Sequence, residues 1–436
     1  MKVGMISLGC PKNRTASEQM LKKLADAGFE LTNDENEAEA IVINTCAFIE
    51  DAKQEAINTI IETGSLKERG RLKALVVAGC LAELYRAEIL EELPEVDAVI
   101  GAGSYDEVVT ALEGALRCEK PVIIGDNCAA VSETGRFMAS GHAWAYLLIA
   151  DGCDNRCSYC LIPKIRGRFR SRPMENILAE ARQLAGRGYK ELILVAQDLT
   201  HYGADLYGGP RLAELLRQLC KIDGLRWIRL HYLYPQELTD ELIETIASEE
   251  KIVKYLDIPI QHINDRILKR MNRRDTGAGI RELFGKLRAR IPGVVLRTSL
   301  ITGLPGEGEA EFEELCEFLR EAKIERAGVF PFSPEEGTPA ARMEYPEKDV
   351  AMERAALVER LQAEVMDEWE ASLVGQTVEA ICDGTDAETG ELLGRCWFDS
   401  PGIDGGAVIE GECRPGDIVR IHIESAEDGT LRGRIV

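Results

Sequence analysis

Apolar and polar positions alternate in a strand and helix pattern along the first part of the chain. Apolar runs at residues 3–8, 40–43 and 74–78 predict strands, and a helical pattern over residues 16–27 ends at Gly28. Strands that alternate with helices are typical of a parallel sheet flanked by helices. We therefore predict an α/β domain over residues 1–120.

A second segment repeats the strand and helix pattern about six times. The strand candidates lie at residues 144–150, 191–196, 226–232, 254–260, 294–301 and 326–332, with amphipathic helical patterns between them. Such repeats predict a partial (β/α)6 barrel over residues 139–370, in which the loops after the strands build the active site.

The last part of the chain changes pattern again. A long helical pattern covers residues 349–372, with an apolar stripe at Val358, Leu361, Val365 and Trp369. Beyond residue 374, short apolar runs at 377–382, 407–409 and 418–423 are broken by Gly, Asp and Pro. This pattern is typical of a small antiparallel β-barrel, which we place at residues 371–436.

The charge of the chain narrows the class of partner. With 52 Lys and Arg against 75 Asp and Glu, the net charge of −23 repels a phosphate backbone unless the basic residues are gathered in one place. The acidic surplus serves solubility alone or favours a basic protein partner, so we do not expect nucleic acid as the substrate. No apolar stretch approaches the roughly 20 residues of a membrane span, so we expect a cytoplasmic protein with no membrane partner.

Three of the 13 cysteines stand close together, in the stretch Gly152-Cys153-Asp154-Asn155-Arg156-Cys157-Ser158-Tyr159-Cys160. In a reducing compartment, closely spaced cysteines are metal ligands or catalytic groups more often than disulfides. Thiolates suit iron–sulfur clusters or zinc, and a structural zinc site normally has four protein ligands. Because no fourth ligand stands nearby, we expect a four-iron cluster with one open iron. A zinc knuckle completed by a distant residue is the alternative.

Cys10, Cys46 and Cys80 each come shortly after a predicted strand. In open parallel sheets, ligands bind at the carboxyl ends of the strands, so the three thiols could converge there. Taken singly, each could be a buried cysteine that acts as a small hydrophobe. Their equivalent positions favour a second three-thiolate site. The other seven cysteines show no ligand spacing.

These motifs resemble the radical S-adenosylmethionine methylthiotransferases. The resemblance rests on the cysteine triplet, on Ile162-Pro163, Arg166-Gly167 and Ser171-Arg172-Pro173 after it, and on the three upstream cysteines. It covers nearly the whole chain and implies an amino-terminal methylthiotransferase domain, a radical barrel and a carboxy-terminal TRAM domain.

The same resemblance implies two [4Fe-4S] clusters and S-adenosyl-L-methionine as cofactors. Cys153, Cys157 and Cys160 would hold the cluster that cleaves S-adenosylmethionine, and Cys10, Cys46 and Cys80 an auxiliary cluster that carries the inserted sulfur. Radical chemistry is needed because a hydrogen on an unactivated carbon is too weakly acidic for a side-chain base. The electron would come from a low-potential donor such as flavodoxin or ferredoxin.

Weaker signals mark candidate contacts to S-adenosylmethionine. They follow the second and fifth barrel strands and comprise Gln197, Asp198, Gly303, Gly306 and Glu307. Ordinary strand-to-helix turns are the alternative. The family pattern has Thr where this chain has Gly308 and Asp where it has Ala16, so the roles of both positions are open.

Two further features have competing interpretations. His231 and His262 lie near strand ends, where a lone histidine is more often a hydrogen-bonded structural residue than a catalyst. An alternating basic run either contacts substrate or cofactor or forms a solvated strand face, and it consists of Lys164, Arg166, Arg168, Arg170 and Arg172.

The resemblance also points to a substrate. Methylthiotransferases modify either an adenosine of transfer RNA, the MiaB type, or an aspartate of the small-subunit ribosomal protein uS12, at its β-carbon. This chain resembles the second type in residues 7–13, 197–203, 335–338 and 400–405. From residue 371 to the end, 13 Asp and Glu against 5 Arg and no Lys give a net charge of −8, which suits a basic ribosomal protein better than RNA. The transfer-RNA enzyme and a zinc-bound scaffold are the alternatives.

Overall fold

The computed structural model of the chain describes residues 1–139, 143–427 and 429–436. The described residues form two compact units. Unit 1 comprises Met1–Ala139, Ala150–Arg172 and Ser333–Ala341. Unit 2 comprises the described residues of Ser140–Ile149, Pro173–Phe332 and Arg342–Val436. The division into domains at residues 1–120, 139–370 and 371–436 stays a prediction.

Unit 1 is built on a parallel sheet of six strands, in the order β2-β1-β3-β4-β5-β6. Its elements are β1 (Lys2–Ser7), α1 (Pro11–Asp26), β2 (Glu30–Leu31), β3 (Ala40–Thr45), α2 (Glu50–Gly64), β4 (Ala74–Gly79), α3 (Cys80–Tyr85), α4 (Glu88–Glu92), β5 (Ala98–Gly101), α5 (Val108–Leu116) and β6 (Val122–Ile123). The predicted parallel sheet is confirmed. The first helix begins five residues before the predicted start, because Pro11 takes its first position and the polar residues after it hide the apolar face.

Strands β3 and β4 are buried along their whole length, as expected for central parallel strands covered on both faces. Ile41 and Ile43 pack on the side of α2 and α3. Ala40 and Val42 face α1 and α5 on the other side. The two faces of the sheet therefore carry separate apolar cores.

The chain next forms β7 (Trp144–Leu148) in unit 2 and then returns to unit 1. There β8 (Ala150–Asp151) pairs antiparallel with β9 (Arg170–Ser171), and the loop between them contains the short helix α6 (Ile162–Ile165). This short ladder closes the loop that carries the cysteine triplet.

Unit 2 contains a second parallel sheet of six strands, whose spatial order follows the chain order. Its elements after β7 are α7 (Met174–Gly186), β10 (Glu191–Val195), α8 (Ala204–Tyr207), α9 (Leu212–Cys220), β11 (Trp227–Leu230), α10 (Asp240–Ser248), β12 (Ile252–Asp257), α11 (Asp265–Arg270), α12 (Gly277–Arg290), β13 (Val295–Thr302), α13 (Glu309–Ala322) and β14 (Arg326–Pro331). All six predicted strands are present, with helices between them, as a partial barrel requires.

A long helix, α14 (Lys348–Leu373), leads to a closed barrel of five strands. The strands are β15 (Thr377–Thr385), β16 (Leu392–Cys396), β17 (Gly406–Glu410), β18 (Ile418–Glu427) and β19 (Thr430–Ile435). The apolar runs indicated only β15, β17 and β18. The barrel is antiparallel except for the pair β17 and β19, which is parallel.

The small barrel packs against the amino-terminal ends of the parallel strands of unit 2. Trp227, Val253 and Val295, near the start of their strands, share one apolar core with it. The loop after β16 reaches further in, where Tyr255 donates to Asp404 at 2.6 Å. The carboxyl ends of the strands, where barrel ligands bind, lie at the opposite end of the sheet.

Candidate cluster-binding site

Both predicted cysteine sets lie in unit 1. Cys10 caps the amino terminus of α1, Cys46 follows β3 directly, and Cys80 is the first residue of α3. Since β1, β3 and β4 are neighbours in the sheet, the three thiols stand at the carboxyl ends of three adjacent strands. The structure thus brings together residues that are up to 70 positions apart in the sequence.

Asn13 joins the loops that carry these three cysteines. Its amide Nδ2 donates to the carbonyl of Leu8 at 3.0 Å and to the carbonyl of Thr45 at 2.9 Å. The two carbonyl acceptors fix the orientation of the amide, so that Oδ1 faces Cys80 Sγ at 3.8 Å. Asn13 lies in the motif after Cys10, but its sequence position alone did not indicate this role.

Gly9 allows the first and second cysteines to approach each other. Its backbone φ is +83°, a value that residues with a side chain rarely adopt. A Cβ at this position would lie 2.7 Å from Cys46 Cβ and 3.0 Å from Cys46 Sγ. The Gly-Cys order of the motif is therefore a steric requirement of the site.

The thiols of this set differ in their ease of ionisation. Burial, followed by the nearby Cys80 and Cys10 thiolates, raises the pKa of Cys46 to about 12. Burial would also raise the pKa of Cys10, but the Lys12 ammonium and the Arg166 guanidinium outweigh it and lower that pKa. Burial raises the pKa of Cys80, against the opposing effect of Arg166. Binding of a metal centre here requires the loss of protons from Cys46 and Cys80, the two thiols whose pKa values are raised.

The second set lies on the loop between β8 and β9. The Cys153 N–H donates to the carbonyl of Gly167 at 3.2 Å, which ties the start of the loop to its end. Gly152 permits this closure because its φ is +80° and a Cβ there would lie 2.0 Å from the carbonyl oxygen of Arg168. A further backbone bond, from Cys160 N–H to the Cys157 carbonyl at 3.1 Å, forms the turn between the last two cysteines.

Backbone donors point at two sulfurs of this loop. The N–H of Asn155 lies 3.5 Å from Cys153 Sγ, and the N–H of Ile162 lies 3.4 Å from Cys160 Sγ. Burial raises the pKa of Cys160, and the neighbouring Cys157 and Cys153 raise it further. Backbone donors of this kind stabilise thiolates, which are the ligand form of cysteine.

Arg166 connects the two cysteine sets. It belongs to the loop of the triplet, yet its Nη2 lies 3.7 Å from Cys80 Sγ and donates to Asn13 Oδ1. Leu161, directly after Cys160, packs in the same apolar core as Cys80. The two sets are therefore parts of one packed region of unit 1.

The donor groups of this region fit iron–sulfur clusters. Each set offers three thiols, a soft ligand type suited to such clusters. The Tyr105 hydroxyl is buried beside Cys80 and Arg166, and no described residue forms a hydrogen bond with it. In residues 1–139, 143–427 and 429–436, no three His, Cys, Asp or Glu side chains are close enough to hold a single metal ion. A four-iron cluster is bound at separate corners, so it accepts thiols that are farther apart.

The predicted S-adenosylmethionine contacts lie in unit 2, at the carboxyl ends of β10 and β13. Asp198 Oδ1 accepts from the N–H of Thr200 at 3.0 Å. Glu307 accepts from the N–H of Gly303 at 2.9 Å and from Arg354 at 2.8 Å. Both carboxylates therefore also stabilise their own loops. Gln197 and Gly306 lie in the same two loops, and the role of all five in binding the cofactor stays a prediction.

Both histidines form hydrogen bonds inside the protein, and the two positions that differ from the family pattern, 16 and 308, lie in or next to helices. His231 Nε2 lies 2.9 Å from Ser400 Oγ, and His262 Nδ1 accepts from the N–H of Asn264 at 3.0 Å. These contacts support the structural interpretation of both histidines. Gly308 precedes α13, and its N–H donates to Glu311 at 2.9 Å, so this helix start needs no hydroxyl at position 308. Ala16 is buried in α1.

The alternating basic run is not a uniform solvated face. Arg166, Arg170 and Arg172 are held by acidic partners within unit 1, which are Asp151 for the first two and Glu133 for the third. The side chains of Lys164 and Arg168 are exposed. Arg166 and Arg170 thus stabilise the loop itself, and Arg172 connects the chain after β9 to Glu133.

Parts of the chain match three known protein families. Residues 147–319 match the Radical SAM superfamily, residues 374–436 match the TRAM domain, and residues 2–101 match Uncharacterized protein family UPF0004. The described residues contain no helix long and apolar enough to cross a bilayer.

Two relatives match along nearly the whole chain. The chain is 48% identical to ribosomal protein uS12 methylthiotransferase RimO of Lachnoclostridium phytofermentans, over 99% of both chains. It is also 48% identical to the protein of the same name from Geobacter sulfurreducens, over 100% of this chain and 98% of the relative.

The fold is similar to that of a solved radical enzyme. The radical S-adenosylmethionine methyltransferase TsrM from Kitasatospora setae, determined with tryptophan substrate and a SAM analogue, superposes with a TM-score of 0.56. The match covers 95% of this chain and 80% of that one at 14% identity, so it speaks to the fold alone.

Proposed function

The chain belongs to the family of ribosomal protein uS12 methylthiotransferases named RimO, and from this premise we propose that it inserts a methylthio group at the β-carbon of an aspartate of uS12. It is a radical S-adenosylmethionine enzyme, and its family uses two [4Fe-4S] clusters. The observation that carries the proposal is the packing of two three-thiol sets into one compact unit.

The six cysteines take separate roles in this proposal. Cys153, Cys157 and Cys160 hold the catalytic cluster, and Cys10, Cys46 and Cys80 hold the auxiliary one. Bound at these two sites, the clusters supply the electron that cleaves S-adenosylmethionine and the sulfur that is inserted. We assign Gln197, Asp198, Gly303, Gly306 and Glu307 to the binding of S-adenosylmethionine.

The chain's own residues prepare the thiols for this task. Backbone N–H groups stabilise the sulfurs of Cys153 and Cys160, and Lys12 and Arg166 favour the thiolate of Cys10. The side chains around Cys46 and Cys80 exclude water, since both cysteines are buried. Exclusion of water protects reactive intermediates from side reactions.

The charge of the small barrel supports a basic protein as substrate. Its arginines are largely engaged by acidic partners: Arg395 binds Glu191 and Asp383, and Arg432 and Arg434 lie beside Glu391 and Glu410. These three arginines therefore form no basic patch on a domain whose net charge over residues 371–436 is −8. Such a surface repels RNA and attracts a basic ribosomal protein.

Since the substrate is a ribosomal protein, we place the reaction in the cytoplasm. The electron comes from a low-potential donor such as flavodoxin or ferredoxin, and nucleic acid is not the substrate.

The proposal is tested by anaerobic reconstitution of the full chain with a peptide of uS12 that contains the target aspartate. We expect 5′-deoxyadenosine and a methylthio mass increment on the peptide together, and neither with the Cys153→Ala variant. Formation of methylthioadenosine in transfer RNA, with an unchanged peptide, would overturn the proposal in favour of the transfer-RNA enzyme.

Metal analysis provides an independent test. Two four-iron clusters require about eight irons per chain, and loss of Cys153, Cys157 and Cys160 together should leave about four. Zinc without iron in the anaerobically purified chain would favour a scaffold and contradict the enzyme assignment.

A further inference from the structure

Arg166 is a buried cation that contacts residues of both cysteine motifs. Its side chain is 5% exposed, and its Nη2 lies 3.7 Å from Cys80 Sγ. We propose that Arg166 is a positioning residue that donates a hydrogen bond to the Cys80 thiolate and so raises the reduction potential of the auxiliary cluster. This inference rests on the assignment of Cys10, Cys46 and Cys80 as ligands of that cluster.

The position of the guanidinium is fixed on the side of the auxiliary set. Its Nη2 donates to Asn13 Oδ1, and the Asn13 amide cannot reverse without losing its two bonds to the carbonyls of Leu8 and Thr45. As a thiol, Cys80 donates to the same Asn13 oxygen at 3.8 Å. As a thiolate it only accepts, and Arg166 is then the neighbouring donor.

The other side of the guanidinium is held by the loop of the triplet. Its Nη1 lies 3.5 Å from Asp151 Oδ2, two residues before Cys153. The carbonyl of Arg166 accepts from the side chain of Arg170 at 2.8 Å, which holds the backbone in place. The Tyr105 ring lies 5.7 Å from the guanidinium carbon, a cation–π distance.

A cation buried in this way needs negative partners, because an isolated charge in a protein interior is very unfavourable. Asp151 is one such partner, but it is shared with Arg170, which lies 3.7 Å away. Glu83 and the thiolates of Cys10 and Cys80 are further negative groups that interact with Arg166. A thiolate at Cys80, 3.7 Å from Nη2, lies closest to the guanidinium among the groups of the auxiliary set for which a distance to it is resolved.

The effect on the potential follows from the sign of the charge. Reduction adds a negative charge to a cluster, and a nearby cation with an N–H directed at a ligand sulfur stabilises the reduced form. Removal of that cation should shift the potential to more negative values. The exposed Arg168 in the same loop has no such contact in the described structure and provides a matched control.

The test is a redox titration of the anaerobically reconstituted full chain, followed by electron paramagnetic resonance. The auxiliary signal is identified as the one that Cys80→Ala removes. Arg166→Gln should shift its midpoint to more negative values by at least tenfold in the one-electron equilibrium, or about 59 mV. Arg166→Lys, which keeps the charge, should shift it less, and Arg168→Gln should leave it unchanged.

A second measurement applies even if Arg166→Gln binds no cluster. In wild-type protein labelled with 15N-arginine, pulsed electron paramagnetic resonance should show a 15N hyperfine coupling on the auxiliary signal. The Arg166→Lys variant should lack this coupling. If the labelled wild type shows no 15N coupling, or if Arg166→Gln leaves the midpoint unchanged, the proposed role of Arg166 is overturned and the auxiliary site itself is not affected. Persistence of both signals in Cys80→Ala would instead overturn the proposed auxiliary site.

Discussion

Gly9→Ala should selectively remove the auxiliary cluster. The new methyl group would lie 2.7 Å from Cys46 Cβ, whereas unbonded carbons pack at about 3.5–4.0 Å. Cys46 would have to move by roughly 1 Å, and metal–ligand distances tolerate only about ±0.2 Å. We expect the iron content of the reconstituted chain to fall from about eight to about four per chain.

The stability of the metal-free chain should fall as well. Alanine at a φ of +83° costs about 1–2 kcal/mol, and overpacking against the buried Cys46 adds about 1–3 kcal/mol. The free energy of unfolding in urea should therefore drop by about 2–5 kcal/mol.

Gly28→Ala separates the two contributions. Gly28 has a similar φ of +89°, but a Cβ there meets nothing within 4 Å. This control should lose only the backbone share of about 1–2 kcal/mol and keep both clusters. If Gly9→Ala binds as much iron as Gly28→Ala and unfolds at the same urea concentration, the close approach of Gly9 to Cys46 does not govern the site.

Three further predictions concern ion pairs and thiol chemistry. Lys53→Met should lower the free energy of unfolding by about 3 kcal/mol, because it leaves the buried Glu335 carboxylate without its cation. In urea melts, the double variant Lys53→Met/Glu335→Gln should recover much of this stability. A double variant as unstable as Lys53→Met alone would contradict the prediction. Arg395→Met should cost about 1–3 kcal/mol, because Asp383 loses its partner while Glu191 loses one of two cations and keeps Arg229, and a loss under 1 kcal/mol, typical of a surface pair, would refute it. Brief alkylation of the native chain should modify the exposed Cys118 and Cys128 first, whereas early labelling of the core thiols by mass spectrometry would show that the core opens.

Patterns local in sequence predicted the larger elements well. The strands of both parallel sheets carry long buried apolar runs, so the runs at residues 40–43 and 74–78 were sufficient to identify β3 and β4. The short edge strands β2 and β6 have two residues each, too few for a periodic signal. Strand β16 was missed because its Gly394 and the buried Arg395 interrupt the apolar run. Its arginine is tolerated inside because two carboxylates pair with it, Glu191 of the neighbouring parallel sheet and Asp383 of β15.

The candidate site divides in the same way. Spacing alone predicted the triplet at Cys153, and the positions after strands suggested the convergence of the other three thiols. The contacts that set their chemistry could not be predicted, because Arg166 and Cys80 are 86 residues apart and meet only through the fold. An alternating run of basic residues is equally typical of a solvent-exposed strand face. Nothing in the sequence indicates that Asp151 and Asn13 are the partners of Arg166 within this run.

This division has a physical basis that reaches beyond single residues. A ligand set needs the correct residue types at the correct spacing, and both requirements are recorded locally in the chain. The field around a ligand depends on which charges are buried beside it, and burial is decided by the whole fold. Cys10 and Cys46 illustrate the point: both occupy strand ends of one sheet, yet the pKa of Cys10 is lowered by Lys12 and Arg166 while that of Cys46 is raised by burial. Thiols with equivalent sequence positions thus ionise with unequal ease, and the loop of the triplet, through Arg166, helps to set the difference.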